Sequence, residues 1–367
     1  MQIPFVDLKL QYKNHREAFE KALTETAAST QYILGPEVSQ FEKNFACFLE
    51  AHDVIGVASG TDALRLSCLA LGLKPGDEVL IPANTFIATA LSLSDIGAVP
   101  VLVDIDSETH LIDMVDAERR VTPKTKGIIP VHLYGQAINM DILKNFTDRH
   151  GLFVVEDACQ AHGAKWNGKR VGTFGAAGCF SFFPSKNLGA FGDGGAVVVN
   201  DTALAKKLRM IRNYGSVQKY KHEIPGTNSR LDSLQAAVLN IKLEFLEEWN
   251  QRRFRAACRY VDKLKGTNSI TVPIFDQASP EAHVFHLFVI QSERRDDLQK
   301  FLMDRGVQTG VHYPIPIHLH KAFSSFEYPL ETYPIAEKMA DHILSLPIFP
   351  EITDAQIDMV VKVIKEF

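Results

Sequence analysis

The chain has 367 residues, of which 46% are hydrophobic, 23% charged and 9% aromatic, with a formal net charge of -5. That length supplies two or three domains' worth of chain, and the composition is that of a globular protein. The acidic balance offers no surplus to track a nucleic-acid backbone, and the apolar runs stop well short of the roughly 18 residues of a membrane helix, so neither nucleic acid nor membrane is expected as a partner.

The first residues, MQIPFVDLKLQYKNHREAF, place Asp7, Lys9 and Lys13 where a secretory signal would need an apolar core, and a cytoplasmic location is expected. Five cysteines, at 47, 68, 159, 179 and 258, are odd in number, scattered and without a CxxC pair. They read as reduced thiols, and no metal site is expected. From 54 to 200, short apolar runs alternate with helical stretches: VIGVA (54–58), EVLIP (78–82), VPVLVDI (99–105), GIIPVHL (127–133), LFVVED (152–157), CFSFF (179–183) and GAVVVN (195–200). Such alternation predicts a mostly parallel sheet covered by helices on both faces, with any ligand at the carboxyl ends of its strands. After 200 come long helical patterns, TALAKKLRMIRNYG and SLQAAVLNIKLEFLEEWNQRRFRAACRYVDKLKG. Beyond about 267 follow short strands, ITVPI and HVFHLFVI, and two more helices. The partition expected is a large α/β domain over 1–250, with an N-terminal arm, and a smaller α+β domain over 251–367.

Two of the apolar runs finish on charged groups. One ends in Glu156-Asp157, the other in Pro184-Ser185-Lys186 before a glycine-rich NLGAFGDGG. A carboxylate at the end of a buried strand needs a cation or several donors. A lysine between a buried strand and a tight turn is expected to be partly desolvated, which favours its nucleophilic amine form; taken alone it reads equally as a surface lysine in a glycine-rich turn, a reading that loses ground beside Asp157. Together they suggest pyridoxal 5'-phosphate, whose chemistry needs a lysine for its aldehyde and an acid for its ring nitrogen. A phosphate would need an anion site, and VASGTDALRLSCLAL supplies a strand, a Ser59-Gly60-Thr61 turn and a helix start. Thr61 could equally be only the helix cap. Phe86, in ANTFIATA, could lie on a pyridine ring or belong to the core.

In this order the motifs YILGPEVSQFEKNFACFL, GVASGTDALRLSCLALGLKPGDEVLIPANTFIATA, GAVPVLVDID, IIPVHLYGQ, VEDACQAHGA, SFFPSKNLGAFGDGGAVVVND, GTNSRLDSLQAAVLNIKL and SLPIFP span nearly the whole chain. The chain resembles the sugar-nucleotide branch of the fold-type I pyridoxal-phosphate aminotransferases, the DegT/StrS family. That resemblance implies the fold-type I architecture, a seven-stranded, mostly parallel sheet flanked by helices in the large domain, and cycling of the cofactor between its pyridoxal and pyridoxamine forms (PLP and PMP). It matches Lys186 to the Schiff-base lysine and Asp157 to the pyridinium partner. Gln160 matches the residue that bonds the ring hydroxyl, Gly60, Thr61 and Ser181 match phosphate ligands, and Phe86 matches the stacking ring. Asn228 matches an asparagine that reaches the neighbouring subunit's cofactor, which implies a homodimer with shared active sites. Many relatives carry tyrosine where this chain has Phe183.

The resemblance further implies amino transfer from L-glutamate to a keto sugar on a nucleotide. IPFVDLKLQY and TGVHYPIPIHLH look most like enzymes that aminate C3 of a dTDP-linked 3-keto-6-deoxyhexose, for lipopolysaccharide O-antigen or related glycan biosynthesis. His312, Tyr313 and His318 could then line the sugar pocket, and Lys219 or Tyr220 of a partner subunit could meet the diphosphate. His110, His222 and His320 are given no role, and His162 is read as structural. The rival readings are a C4 aminotransferase on a UDP- or GDP-linked sugar, a sugar 3-dehydratase, and a non-catalytic sugar-nucleotide sensor. Lys186 stands against the dehydratase, which has histidine there. A dinucleotide oxidoreductase is disfavoured because Gly189, Gly192, Gly194 and Gly195 lead into a strand, where a phosphate fingerprint would open a helix.

Overall fold

The computed structural model describes residues 2–326 and 332–367. Each of the seven apolar runs forms a strand, and these lie side by side in the order Asp53–Val57, Gly195–Val199, Ala177–Ser181, Phe153–Asp157, Thr125–Ile128, Glu78–Pro82 and Val99–Val103. Gly195–Val199 runs antiparallel to both its neighbours, while the remaining pairings are parallel. The run expected over 127–133 stops as a strand at Ile128. Pro130 carries no N–H to continue the ladder, though its carbonyl still accepts from Asp157 N at 2.9 Å.

Successive residues of a strand point to opposite faces. Ile55, Val57, Cys179, Val197 and Val199 therefore enter one core, while Val54, Phe180, Ala196 and Val198 enter another. The first core is closed by helices Gly60–Leu71, Ala88–Ser94 and Thr202–Ile211, through Ala63, Leu64, Ala90, Leu93, Ala205 and Leu208. The second is closed by Pro36–Leu49 and Ser233–Leu243. There Phe45 stands edge-on to Phe180 at 5.1 Å and to Phe182 at 5.7 Å. Burial of one such ring contributes about 1.5–3 kcal/mol. With both faces covered, ligands reach the sheet at its edge, where the loops after the parallel strands converge.

A third core gathers helices Leu246–Leu264, Arg295–Asp304 and Asp354–Lys365 around the antiparallel pair Phe288–Gln291 and Ile343–Leu346. The ITVPI run contributes only an isolated bridge, Thr271 to Gln291. The first five residues of HVFHLFVI pair elsewhere: Val284 N and Leu287 N donate to Gly135 O (2.9 Å) and Tyr134 O (3.2 Å). This seam carries the later part of the chain up to the edge of the large sheet. Ile3 also joins the third core, pairing with Val307. Among the described residues no helix is long and apolar enough to cross a membrane.

Candidate active site

The two carboxylates that end the Phe153–Asp157 strand part company because strand side chains alternate. Glu156 turns away from the loops and is fully buried. Its Oε1 accepts from Phe174 N (2.7 Å) and Gly175 N (2.8 Å), and its Oε2 from Gly172 N (2.7 Å) and His132 Nε2 (3.1 Å). Because His132 Nδ1 accepts from Ile138 N at 3.2 Å, the ring proton sits on Nε2 and points at Glu156. That carboxylate is structural. Asp157 instead faces the loops, with Thr89 Oγ1 donating to Oδ2 at 2.9 Å and Cys159 N to Oδ1 at 3.2 Å.

Lys186 sits in the turn after Ala177–Ser181. Its own N–H donates to Phe183 O (2.9 Å), and Ala190 N donates to Phe182 O (2.8 Å). The turn is pinned from behind as well. Asn187 Nδ2 donates to Asn250 Oδ1 (2.8 Å) and Val284 O (2.9 Å), and the buried Lys242 Nζ donates to Gly189 O (2.7 Å). Burial pulls the Lys186 ammonium below its usual value, against the opposing pull of Cys159 and Asp157. Burial also pushes the Cys159 thiol well up, so at neutral pH it is uncharged.

Beside them the strand Asp53–Val57 feeds helix Gly60–Leu71. Ser59, rather than Thr61, is the cap: its hydroxyl accepts from Asp62 N at 3.1 Å. The N–H groups of Gly60 and Thr61 are left for a guest. Two glycines make this approach possible. A Cβ on Gly60 would lie 2.7 Å from Ser181 Cβ and 2.9 Å from Cys159 Sγ, and one on Gly195 would lie 2.3 Å from the Ser59 carbonyl. Helix start and Ser181 thus form a close-walled cradle suited to an anion.

These groups line one cavity of about 380 Å³, together with Thr85, Phe86, Thr89, Gln160, Phe183, Ser185, Asp193, His286, His312 and Tyr313. The volume falls in the range of small-molecule sites. Phe86 is half-exposed there, its ring 5.4 Å from Tyr313 and tilted by 40°. Gln160 Oε1 accepts from Tyr134 N (2.8 Å), and its Nε2 donates to Tyr313 Oη (3.1 Å) rather than standing free. His312 is anchored through Nδ1 to Ser345 Oγ (2.9 Å). Cradle, carboxylate, flat aromatic wall and desolvated lysine match the parts of a phosphorylated pyridine aldehyde.

Of the residues singled out in the sequence, Lys186, Asp157, Gly60, Thr61, Phe86, Gln160, Ser181, His312 and Tyr313 meet at this cavity. His318, expected at the sugar pocket, is not among the residues that line this cavity. The 3-10 turn Ile317–Leu319 directs its ring inward, where it is fully buried, pairs with Glu337 Oε1 at 3.0 Å and packs on Tyr333. Asn228, Lys219 and Tyr220 lie outside the cavity of their own chain and are exposed, the last on the hairpin of Ser216–Gln218 and Lys221–His222. Thr89, Cys159, Asp193 and His286 also line the cavity, with no site role expected for them from the sequence. Thr89, in the first turn of helix Ala88–Ser94, meets Thr85 of the preceding loop, their hydroxyls 3.1 Å apart.

The sequence matches the DegT/DnrJ/EryC1/StrS aminotransferase family over residues 13–365. It is 46% identical over 367 residues to dTDP-3-amino-3,4,6-trideoxy-alpha-D-glucose transaminase of Streptomyces venezuelae, covering 100% of this chain and 96% of that one. It is 44% identical over 365 residues to dTDP-3-amino-3,6-dideoxy-alpha-D-galactopyranose transaminase of Aneurinibacillus thermoaerophilus, covering 100% and 99%. Among solved structures it resembles NtdA from Bacillus subtilis with bound cofactor PMP, at a TM-score of 0.90 and 36% identity, covering 96% of this chain and 82% of that one. The chain belongs to the DegT/DnrJ/EryC1/StrS aminotransferase family: it is a fold-type I aminotransferase that uses pyridoxal phosphate and its amino form.

Proposed function

We propose that this enzyme moves the amino group of L-glutamate to the C3 keto carbon of a dTDP-linked 3-keto-6-deoxyhexose, giving a dTDP-3-amino-3,6-dideoxyhexose. The observation that carries the amino-transfer chemistry is that Lys186 and Asp157 open onto one cavity without pairing with each other. The names of the two transaminase relatives support the dTDP-linked, C3-aminated product.

In this reading Gly60, Thr61 and Ser181 hold the cofactor phosphate, Phe86 covers the ring face, Gln160 meets the ring hydroxyl and Asp157 holds the ring nitrogen proton. When bound, the cofactor supplies a carbonyl that condenses with amines and a ring that accepts an electron pair. The rest falls to the protein. Lys186 first anchors the cofactor, then, once displaced by the incoming amine, moves a proton as a general base, a task suited to an amine whose ammonium is destabilised by burial. Asp157, fixed by Thr89 and the Cys159 amide, keeps its negative charge directed into the cavity. His312 and Tyr313 border the sugar.

Asn228, Lys219 and Tyr220 act in this proposal across a homodimer, Asn228 at the cofactor phosphate and the other two at the diphosphate. Their exposure and their distance from the cavity of their own chain fit that assignment. The division into a unit of 1–250 and one of 251–367 belongs to the same proposal. The test is direct: protein supplied with pyridoxal phosphate should gain a visible absorption band, and borohydride should fix the cofactor to the peptide containing Lys186. A panel of keto-sugar nucleotides with glutamate, read by product mass and amine position, should then single out a dTDP-3-amino sugar. Amination at C4, or a preference for UDP- or GDP-sugars, would overturn the substrate assignment.

A further inference from the structure

His286 lines the cavity and is 9% exposed. Its backbone is held in the seam: a Cβ on Gly135 would fall 2.9 Å from His286 N and 3.1 Å from Gln160 O. Nδ1 is sealed from solvent and has no hydrogen-bond partner among the described residues. Nε2 forms no hydrogen bond either among the described residues but is not sealed, and the ring borders the cavity. A buried N–H without an acceptor is rarer than a bare acceptor, so the ring proton belongs on Nε2. Burial, followed by the charges of Lys186, Arg253, His312 and His162, holds the imidazolium well below its usual pKa, and the ring is neutral. Two other donors of the cavity are engaged, Gln160 Nε2 with Tyr313 and Thr89 Oγ1 with Asp157.

We propose that His286 is a catalytic residue whose Nε2–H donates a hydrogen bond to the carbonyl oxygen of the ketone handled at Lys186. The inference rests on the aminotransferase reading above. Both halves of that reaction present such an oxygen, on the keto sugar and on the 2-oxo acid. As an amine adds to the ketone carbon, the oxygen gathers negative charge, which a fixed neutral donor stabilises without reorganising.

Three variants of the holoenzyme test this. His286→Phe keeps the ring shape and removes both nitrogens, His286→Gln sets an amide N–H near the place of Nε2, and His286→Asn sets one near Nδ1. Turnover of the keto sugar should fall ~100-fold in His286→Phe, the scale seen when one oxyanion donor is removed, with KM and the cofactor band little changed. His286→Gln should recover roughly tenfold of that loss, worth about 1.4 kcal/mol, and His286→Asn should not. Single-turnover measurements of each half-reaction assign the contact: a loss confined to one arm places the donor at the sugar ketone or at the 2-oxo acid. Ring-nitrogen NMR of labelled wild-type holoenzyme, with a histidine variant as assignment blank, should show the proton on Nε2. Full activity in His286→Phe, or a proton on Nδ1, would overturn the proposal, and the NMR result stands even if His286→Phe fails to fold. Wild-type protein without a cofactor band would instead overturn the reading beneath it.

Discussion

Asp157 and Lys186 line one cavity and, among the described residues, form no ion pair. Opposite charges brought to 4 Å attract by about 4 kcal/mol at an effective dielectric of 20. A protein that forgoes this contact in a half-buried site leaves both groups free for something between them. Thr89 and the Cys159 amide restrain Asp157, and the pinned turn restrains Lys186.

Asp157→Asn should therefore lower kcat by roughly 10²–10³, the range for losing one preorganised electrostatic contact. The cofactor should still bind, because the phosphate cradle is untouched. Stopped-flow absorbance with glutamate checks it. Thr89→Val should have the same sign and a smaller size, about 1 kcal/mol or less than tenfold, since it removes one hydrogen bond to the carboxylate. Equal or larger damage from Thr89→Val would show that the hydroxyl, not Asp157, is what matters.

Gly60→Ala tests the cradle. The added methyl must displace Ser181 Cβ or Cys159 Sγ, each under 3.0 Å away. Overpacking of this kind costs about 1–3 kcal/mol. The expected outcome is cofactor affinity weakened by more than tenfold with a modest loss of melting temperature in the apo-protein, read by equilibrium dialysis and calorimetry. Unchanged affinity would move the phosphate elsewhere.

Glu156→Gln separates structure from catalysis at adjacent residues. Its amide N–H₂ would confront backbone donors at Gly172 or at Phe174 and Gly175. Leaving buried donors unsatisfied costs about 1–3 kcal/mol. Denaturant titration should show that loss, while the absorbance of bound cofactor stays as in the wild type.

The sheet was legible because its strands are apolar on both faces, and uninterrupted apolar runs such as GAVVVN permit few other readings. Lys186 and Asp157 were legible because charge at the end of such a run is costly. Their neighbours were harder. Glu156 and Asp157 look alike in sequence, and only the alternation of a strand assigns one to the interior and one to the cavity. Ser59 and Thr61 are both good caps, and backbone geometry chose Ser59. His318 shares a proline-rich stretch with His312, but a 3-10 turn buries it. His286 stands in an apolar run, where a histidine most often means core. Roles for Asn228, Lys219 and Tyr220 require a second copy of the chain.

His162 yields a prediction in which the sign of a pH effect can be worked out. Its ring packs against Phe180 at 5.4 Å and Phe182 at 5.9 Å, and among the described residues neither ring nitrogen has a partner at good hydrogen-bond geometry. Burial, then the charge of Lys186, pushes its pKa down to about 3, against a weaker opposing pull from the backbone at Ser181. In the unfolded chain a histidine titrates near 6.5. Below that pH the unfolded state takes up a proton that the native state refuses, so stability is lost as pH falls towards 3, by up to about 1.4 kcal/mol per pH unit. His162→Phe removes both the unpaired nitrogens and this proton and completes an aromatic cluster of similar shape. The variant should be close to wild type or slightly more stable at pH 7, with an advantage that grows as pH is lowered from 6.5 to 4.5. Paired denaturant titrations at those three pH values measure it. A difference that is flat with pH would mean that His162 is already paired or already charged in the native protein.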